Sequence, residues 1–250
     1  MTPLAPSFTL PPGYPRIKVV HSFSELVTTR FSGDINALCW PRTLPGDFSE
    51  VVAQLSLNRV SRVHDPDSEG MTTLAEASLR TLPLSEAGQA AVAILLADLE
   101  LLRTHGLAPI LDCIHGYPRD EESAIVPTHV YSFHADRAPV EADTYLCTYS
   151  GPASEGLRND EAQRHVDLPA TRAALLQEYG GPDDAGFLAY LSDHCYDLHY
   201  APAPQARPFS FGHGNLWRIA IQHPDSPVPP CLHRAPETLP GQPPRLLLIS

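Results

Sequence analysis

From Ala108 to the last residue the chain is cut into apolar or aromatic runs: APILDCI, IVPTHVYSF, DTYLCTY, FSFGHGNLWRIAIQ, PCLHR and RLLLIS. Gly, Pro and acidic turns separate them, and most are of strand length, the pattern of a sheet rather than a helical bundle. One interlude interrupts the strands. Pro169–Tyr179, stopped by Gly180, and Ala185 to about Leu198 have helical character. No internal repeat is evident. This half of the chain therefore predicts a β-barrel or sandwich with helices inserted between its strands.

The first half reads differently. Prolines punctuate residues 1–20, which predict an arm lying on the surface. Residues 24–31 suit a short helix. Asp47 with Glu50 three residues later has the form of a capping box opening a helix through about Leu57. The clearest helix starts after Ser85, runs to about Thr104 and ends near Gly106. The expectation is an α+β protein of one domain spanning residues 1–250. It comprises an arm (1–20), mainly helical support (21–107) and a strand-rich core (108–250) with a helical insertion at about 165–200.

Composition removes several function classes. A net charge of −12 with no basic patch argues against binding to phosphate backbones or anionic lipid. The five cysteines form no CxxC pair and are odd in number, which suits a reducing, cytoplasmic setting. MTPLAPSFTLPPGYPR has neither a charged start nor an apolar stretch of a secretory signal. AAVAILLADLELL is too short and too acidic to cross a bilayer. Neither a dinucleotide or phosphate-binding glycine loop nor a Gly-x-Ser-x-Gly elbow occurs. The acidic DPDSEG and RDEES segments read as solvated loops.

The residues that carry chemistry lie in the second half. His134 and Asp136 stand two apart at the end of an extended run, His233 follows on another short strand, and Arg245 opens the final one. Two imidazoles and one carboxylate can hold one face of a metal ion and leave the other open, the arrangement of non-heme Fe(II) oxygenases. Alternation places Arg245, Leu247 and Ile249 on one face of RLLLIS, where an inward guanidinium requires an anionic partner. Rival readings exist for each. A second His-x-Asp, His223-Pro224-Asp225, sits in a turn-rich loop. His213, between two glycines, is the alternative third ligand. His134 and Asp136 could simply hydrogen-bond each other, and Arg245 could pair with an acid at the rim. Thr144, Thr148 and Tyr149 follow on the next strand, where one alternate set faces inward. Trp217 and Arg218 are candidates to line the pocket, with Trp217 better suited to the core. Gly151-Pro152 reads as a turn.

On His134, Asp136, His233 and Arg245 the chain resembles the 2-oxoglutarate- and Fe(II)-dependent dioxygenase superfamily, over about residues 108–250. More narrowly, FHADRAPVEADTYLCTYSGPASEGL and HRAP followed by PRLLLIS look like an uncharacterised bacterial family of this type. INALCWPR extends the likeness towards the N-terminus. Ala235 departs from that family's usual Ser, and ASEGL from its Gly-Thr-Glu-Trp-Leu. The resemblance implies a double-stranded β-helix (jelly-roll, cupin-like) core, with iron on His134, Asp136 and His233 and 2-oxoglutarate on Arg245. It further implies O2, succinate and CO2, and a small-molecule substrate oxidised at a C–H bond, by hydroxylation as the default. Two other functions fit the same residues: a cupin-like metal-binding protein without turnover, and an iron enzyme that does not use 2-oxoglutarate.

Overall fold

The computed structural model describes residues 10–60, 70–117, 125–239 and 241–250. Its strands form two sheets. The larger runs, in spatial order, β1 (Ile17–Val19), β2 (Ala37–Trp40), β11 (Leu216–Ala220), β6 (Asp143–Ser150), β13 (Arg245–Ile249), β4 (Ile110–Ile114) and β3 (Met71–Thr73). The smaller runs β10 (Phe209–Ser210), β7 (Glu155–Leu157), β12 (Leu232–Arg234), β5 (Phe133–His134), β9 (His199–Pro202) and β8 (Ala162–Arg164). All neighbours are antiparallel except β1 and β2.

Strand alternation decides what faces what. On β6, Tyr145, Cys147 and Tyr149 point to an outer layer of helices, where they pack with Leu246 and Leu248 of β13. That layer contains α1 (Phe23–Thr28), α2 (Phe48–Val60) and α4 (Glu86–Arg103), which bury Leu26, Val51, Leu95, Leu99 and Leu102 against the sheet. A short α3 (Glu76–Arg80) precedes α4. The opposite face of the large sheet meets the small one. There Leu146, Trp217, Ile219 and Leu247 pack with Phe209, Phe211 and Cys231. α5 (Pro169–Tyr179) and α6 (Ala185–Asp193) form their own cluster around Leu175, Phe187 and Leu191, with Val126 and Tyr196.

The predicted caps act as expected for the most part. Asp47 accepts from the backbone amides of Ser49 and Glu50, and Ser85 accepts from that of Gly88. Glu50 does not return to Asp47; its carboxylate instead accepts from the amide and hydroxyl of Ser85, joining the starts of α2 and α4. Gly180 ends α5 in the left-handed conformation at φ 71°. α6 stops earlier than expected, at Asp193, because Cys195 adopts φ 58° and breaks the helical path.

Several expectations need correction. Ile17–Val19 at the end of the proline-rich stretch is an edge strand and not a free arm, because its backbone pairs with β2. The helical support supplies two further strands, β2 and β3, to the large sheet. Most of IVPTHVYSF is not a strand: only Phe133–His134 pairs, since Pro127 has no amide to donate and Val126 is taken up by the α5–α6 cluster. FSFGHGNLWRIAIQ splits into β10 and β11 around Gly212 and Gly214, both at positive φ. β7, β8 and β9 carry no sequence signal that marks them. RDEES, DPDSEG up to its final glycine, and the first nine residues lie outside the described residues.

One buried polar group ties the helical layer to the sheet. Arg42 donates through both terminal nitrogens to Asp98 of α4 at 2.7 and 2.8 Å, and the Tyr149 hydroxyl donates to the same carboxylate at 2.6 Å. Asp98→Ala leaves that guanidinium buried and unpaired. It is expected to lower unfolding free energy by about 3–5 kcal/mol, read by urea titration. A loss below about 1 kcal/mol, the size of an exposed pair, would show that water reaches the site.

Candidate metal centre

The small sheet aligns the imidazoles by register. His233 of β12 is directly opposite His134 of β5, and His134 is directly opposite His199 of β9. Opposed residues in an antiparallel pair share a face, so three histidines stand in a row. The His134 and His233 ring centroids are 4.6 Å apart. Asp136, just past β5, turns towards them: its carboxylate oxygens lie 3.9 Å from His134 Nε2 and 3.7 Å from His233 Nε2. One donor atom from each of the three lies within 4.8 Å of the others, and among the described residues no other such group occurs.

These separations exceed a hydrogen bond, so the three groups are not held together by bonding each other. Their second partners are elsewhere. His134 Nδ1 is 2.8 Å from the Ser132 carbonyl, which assigns the proton to Nδ1 and leaves the Nε2 lone pair facing Asp136. His233 Nδ1 is 3.5 Å from the Cys231 carbonyl, a longer version of the same i−2 contact. The Thr144 hydroxyl donates to Asp136 Oδ2 at 2.6 Å from the large sheet.

Electrostatics keep the set rich in lone pairs. Burial first, and then the neighbouring His233, lowers His134 to about 4 against the opposing pull of Ser132 and Asp136. Burial raises Asp136, but His233, the Thr144 hydroxyl and His134 outweigh it, so the carboxyl sits below its usual value. His199 is lowered to about 3, again by burial first. Both imidazoles take protons in the unfolded chain near pH 6.5. Below that value the folded state therefore binds fewer protons than the unfolded chain, and its stability falls until about pH 3–4. With chelator present, melting temperature is expected to decline through this window, and less steeply in His199→Leu. Identical slopes would remove His199 from the account.

Arg245 is 3% exposed at the start of β13. Its Nη1 donates to the Tyr117 hydroxyl at 3.2 Å and its Nη2 to the Ser154 hydroxyl at 2.9 Å, while Nε is buried with no partner. Among the described residues no carboxylate pairs with it. Burial pulls the guanidinium below its ordinary value, with Tyr117 and Tyr131 opposing. Tyr117 is itself raised, by burial first, and remains a proton donor. Because each hydroxyl accepts from Arg245, each keeps its own hydrogen for a further acceptor. Ser154 precedes Gly156 by two positions, and Gly156 is directly opposite His233. Ser154 thus lies two positions, about 7 Å of extended backbone, from the residue that faces His233. Gly151 secures the other side: at φ 76°, it leaves no room for a Cβ, which would stand 2.6 Å from the Pro244 carbonyl and 2.8 Å from Arg245 Cα.

The remaining sequence candidates fall elsewhere. His213 is exposed and bonded through Nε2 to the Gly151 carbonyl at 2.6 Å. His223 lines a separate cavity of about 550 Å³ with Arg137, Ser192 and Gln222, and Asp225 is exposed. Arg218 is no pocket residue. Alternation turns it from the inner face, and it donates to Asp143 and to the carbonyls of Leu26, Val27 and Thr29 at the end of α1. Trp217 is core, and Tyr149 faces the helices. Thr148 faces inward with its hydroxyl buried and unpaired. Tyr117, Ser154 and His199 were missed by the sequence reading, which held no spacing signal for them.

No family model matches the chain, and no curated protein matches it. Among solved structures it is similar to the Kdo hydroxylase KdoO, a non-heme Fe(II) alphaketoglutarate dependent dioxygenase crystallised with cobalt(II). The identity is 14% and the TM-score 0.38, over 94% of this chain and 88% of that one. At that identity and overlap the likeness bears on neither substrate nor residue roles, which rest on the geometry above. Among the described residues no helix is long and apolar enough to cross a membrane.

Proposed function

We propose that the chain is a non-heme Fe(II)/2-oxoglutarate-dependent oxygenase that oxidises a C–H bond of a small-molecule metabolite on a jelly-roll core. The carrying observation is Arg245, a buried guanidinium without a carboxylate partner among the described residues, bonded to Ser154 two positions before the residue that faces His233, in a chain that also brings two imidazoles and a carboxylate together. A buried charge of this kind is costly unless an anion completes it. A dicarboxylate that reaches from the metal donors to Arg245 supplies that anion.

Strand order supports the core. Eight strands, taken as β4, β5, β6, β7, β10, β11, β12 and β13, order as β11-β6-β13-β4 in one sheet and β10-β7-β12-β5 in the other. This interleaving is that of two Greek keys wrapped into a jelly roll. The donor set suits Fe(II): neutral nitrogen and anionic oxygen, with no thiolate. His134, Asp136 and His233 would hold the ion, and Arg245, Tyr117 and Ser154 the distal carboxylate of the cosubstrate. When bound, iron with 2-oxoglutarate supplies the activation of O2 needed to oxidise an unactivated C–H bond.

The protein's own part is placement. The Ser132 carbonyl and Thr144 hydroxyl fix two ligands, and the Arg245 fork orients the cosubstrate by paired charge-assisted hydrogen bonds. The inter-sheet aromatic cluster of Phe209, Phe211 and Trp217 excludes water from one side of the sandwich. The deciding experiment is anaerobic addition of Fe(II) and 2-oxoglutarate, singly and together, followed by succinate assay in air. A weak visible band that needs both, with succinate formed afterwards, is the expected result. Metal binding without succinate would favour a cupin-like binding protein. Turnover independent of 2-oxoglutarate would reassign Arg245 to the substrate's own carboxylate.

A further inference from the structure

We propose that His199 is a positioning residue for the metal centre: it holds Ser132, whose carbonyl in turn sets the His134 ring with Nε2 facing Asp136. This rests on the metal reading above. His199 is not itself among the converging donors, yet it is 5% exposed and its ring lies 5.6 Å from that of His134, tilted by 36°. Burying an imidazole with no role in packing an apolar cluster is unfavourable unless its polar atoms are used. His199 Nδ1 is 3.1 Å from the Ser132 hydroxyl, and the same serine's carbonyl takes His134 Nδ1 at 2.8 Å.

The serine is thus bonded at both of its oxygens, one to each histidine. The bond to His199 anchors the serine, and with it the carbonyl that His134 requires. The His199 ring also stands against the far side of His134 from His233, so rotation of His134 away from the shared site meets a packed neighbour. Partners that orient a metal-bound imidazole in this way typically change metal affinity by about 10–100-fold when removed.

Cobalt(II) titration of metal-free full-length protein tests this, with affinity and the visible cobalt spectrum as readouts. The wild type comes first: failure to bind cobalt would overturn the metal reading itself, separately from this inference. His199→Leu, which fills the volume without hydrogen bonding, is expected to bind cobalt about 10–100-fold more weakly and with a shifted spectrum. His199→Asn places an amide where Nδ1 stood and should recover most of that loss. Ser132→Ala should reproduce the Leu variant, and the double variant should be no worse than either. Should His199→Leu fail to fold, Ser132→Ala against the wild type carries the test. Wild-type cobalt affinity in His199→Leu or Ser132→Ala, or an Asn variant as weak as Leu, would overturn the inference.

Discussion

Arg245→Met is expected to raise the melting temperature of the cosubstrate-free protein while weakening 2-oxoglutarate binding roughly a hundredfold. The two effects have one cause. In the free protein the guanidinium is buried, its Nε has no partner, and its two terminal nitrogens meet only neutral hydroxyls. Methionine has a similar reach, needs no counter-ion and fills irregular space. Exchanging a poorly compensated buried charge for an apolar side chain is commonly neutral or stabilising by about 1–4 kcal/mol. For a domain of this size each kcal/mol corresponds to about 2–4 °C. The same guanidinium is what a distal carboxylate would bind, so its removal forfeits two charge-assisted hydrogen bonds. Thermal scans with and without 2-oxoglutarate, in the presence of metal, read both effects together. The wild type should gain stability on adding cosubstrate and the variant should gain little. A variant less stable than wild type that keeps full cosubstrate affinity would mean that Arg245 serves the fold instead.

Asp136→Ala is expected to reduce Fe(II) or cobalt(II) affinity by roughly 10²–10³-fold, without unfolding the protein. Structural zinc on four protein ligands binds with about 10–16 kcal/mol, or about 2.5–4 kcal/mol per ligand, a scale for one donor. That converts to the stated factor at 1.4 kcal/mol per decade. Asp136 is the only anion of the three converging side chains, so its loss also leaves the ion's charge less compensated. The fold depends on it little: the carboxylate makes one side-chain hydrogen bond, from Thr144. His213→Ala and His223→Ala are the controls. Neither residue is part of the converging group, and both variants should bind metal as the wild type does. Loss of the ion in His213→Ala with retention in Asp136→Ala would replace the ligand set.

The elements legible in the chain were those with local causes. The cap residues Asp47 and Ser85, the stop at Gly180 and the long apolar helix before Gly106 act through neighbours a few positions away, and each appears where the pattern places it. β6 and β13 were legible because every second residue on them is apolar or aromatic. β8 and β9 were not. Ala162–Arg164 and His199–Pro202 are short, lie beside proline and polar residues, and become strands only because they extend an existing sheet edge. β1 is the same case: Ile17–Val19 pairs because β2 offers an unpaired edge. Arg218 failed as a pocket residue for want of one fact, the phase of β11, which Trp217 settles by entering the inter-sheet core.

By itself the sequence determined the chemical inventory: a His-x-Asp at a strand end, a distant histidine, and an arginine opening the last strand in phase with Leu247. Those follow from residue type and from alternation, both local properties. Tertiary structure decided which histidines face one another, that Tyr117 and Ser154 stand on the Arg245 fork, and that His199 adjoins His134. These depend on cross-strand register between segments far apart in the chain, where a slip of one residue would turn each side chain to the opposite face. Packing of the whole sandwich selects that register, and no short stretch encodes it.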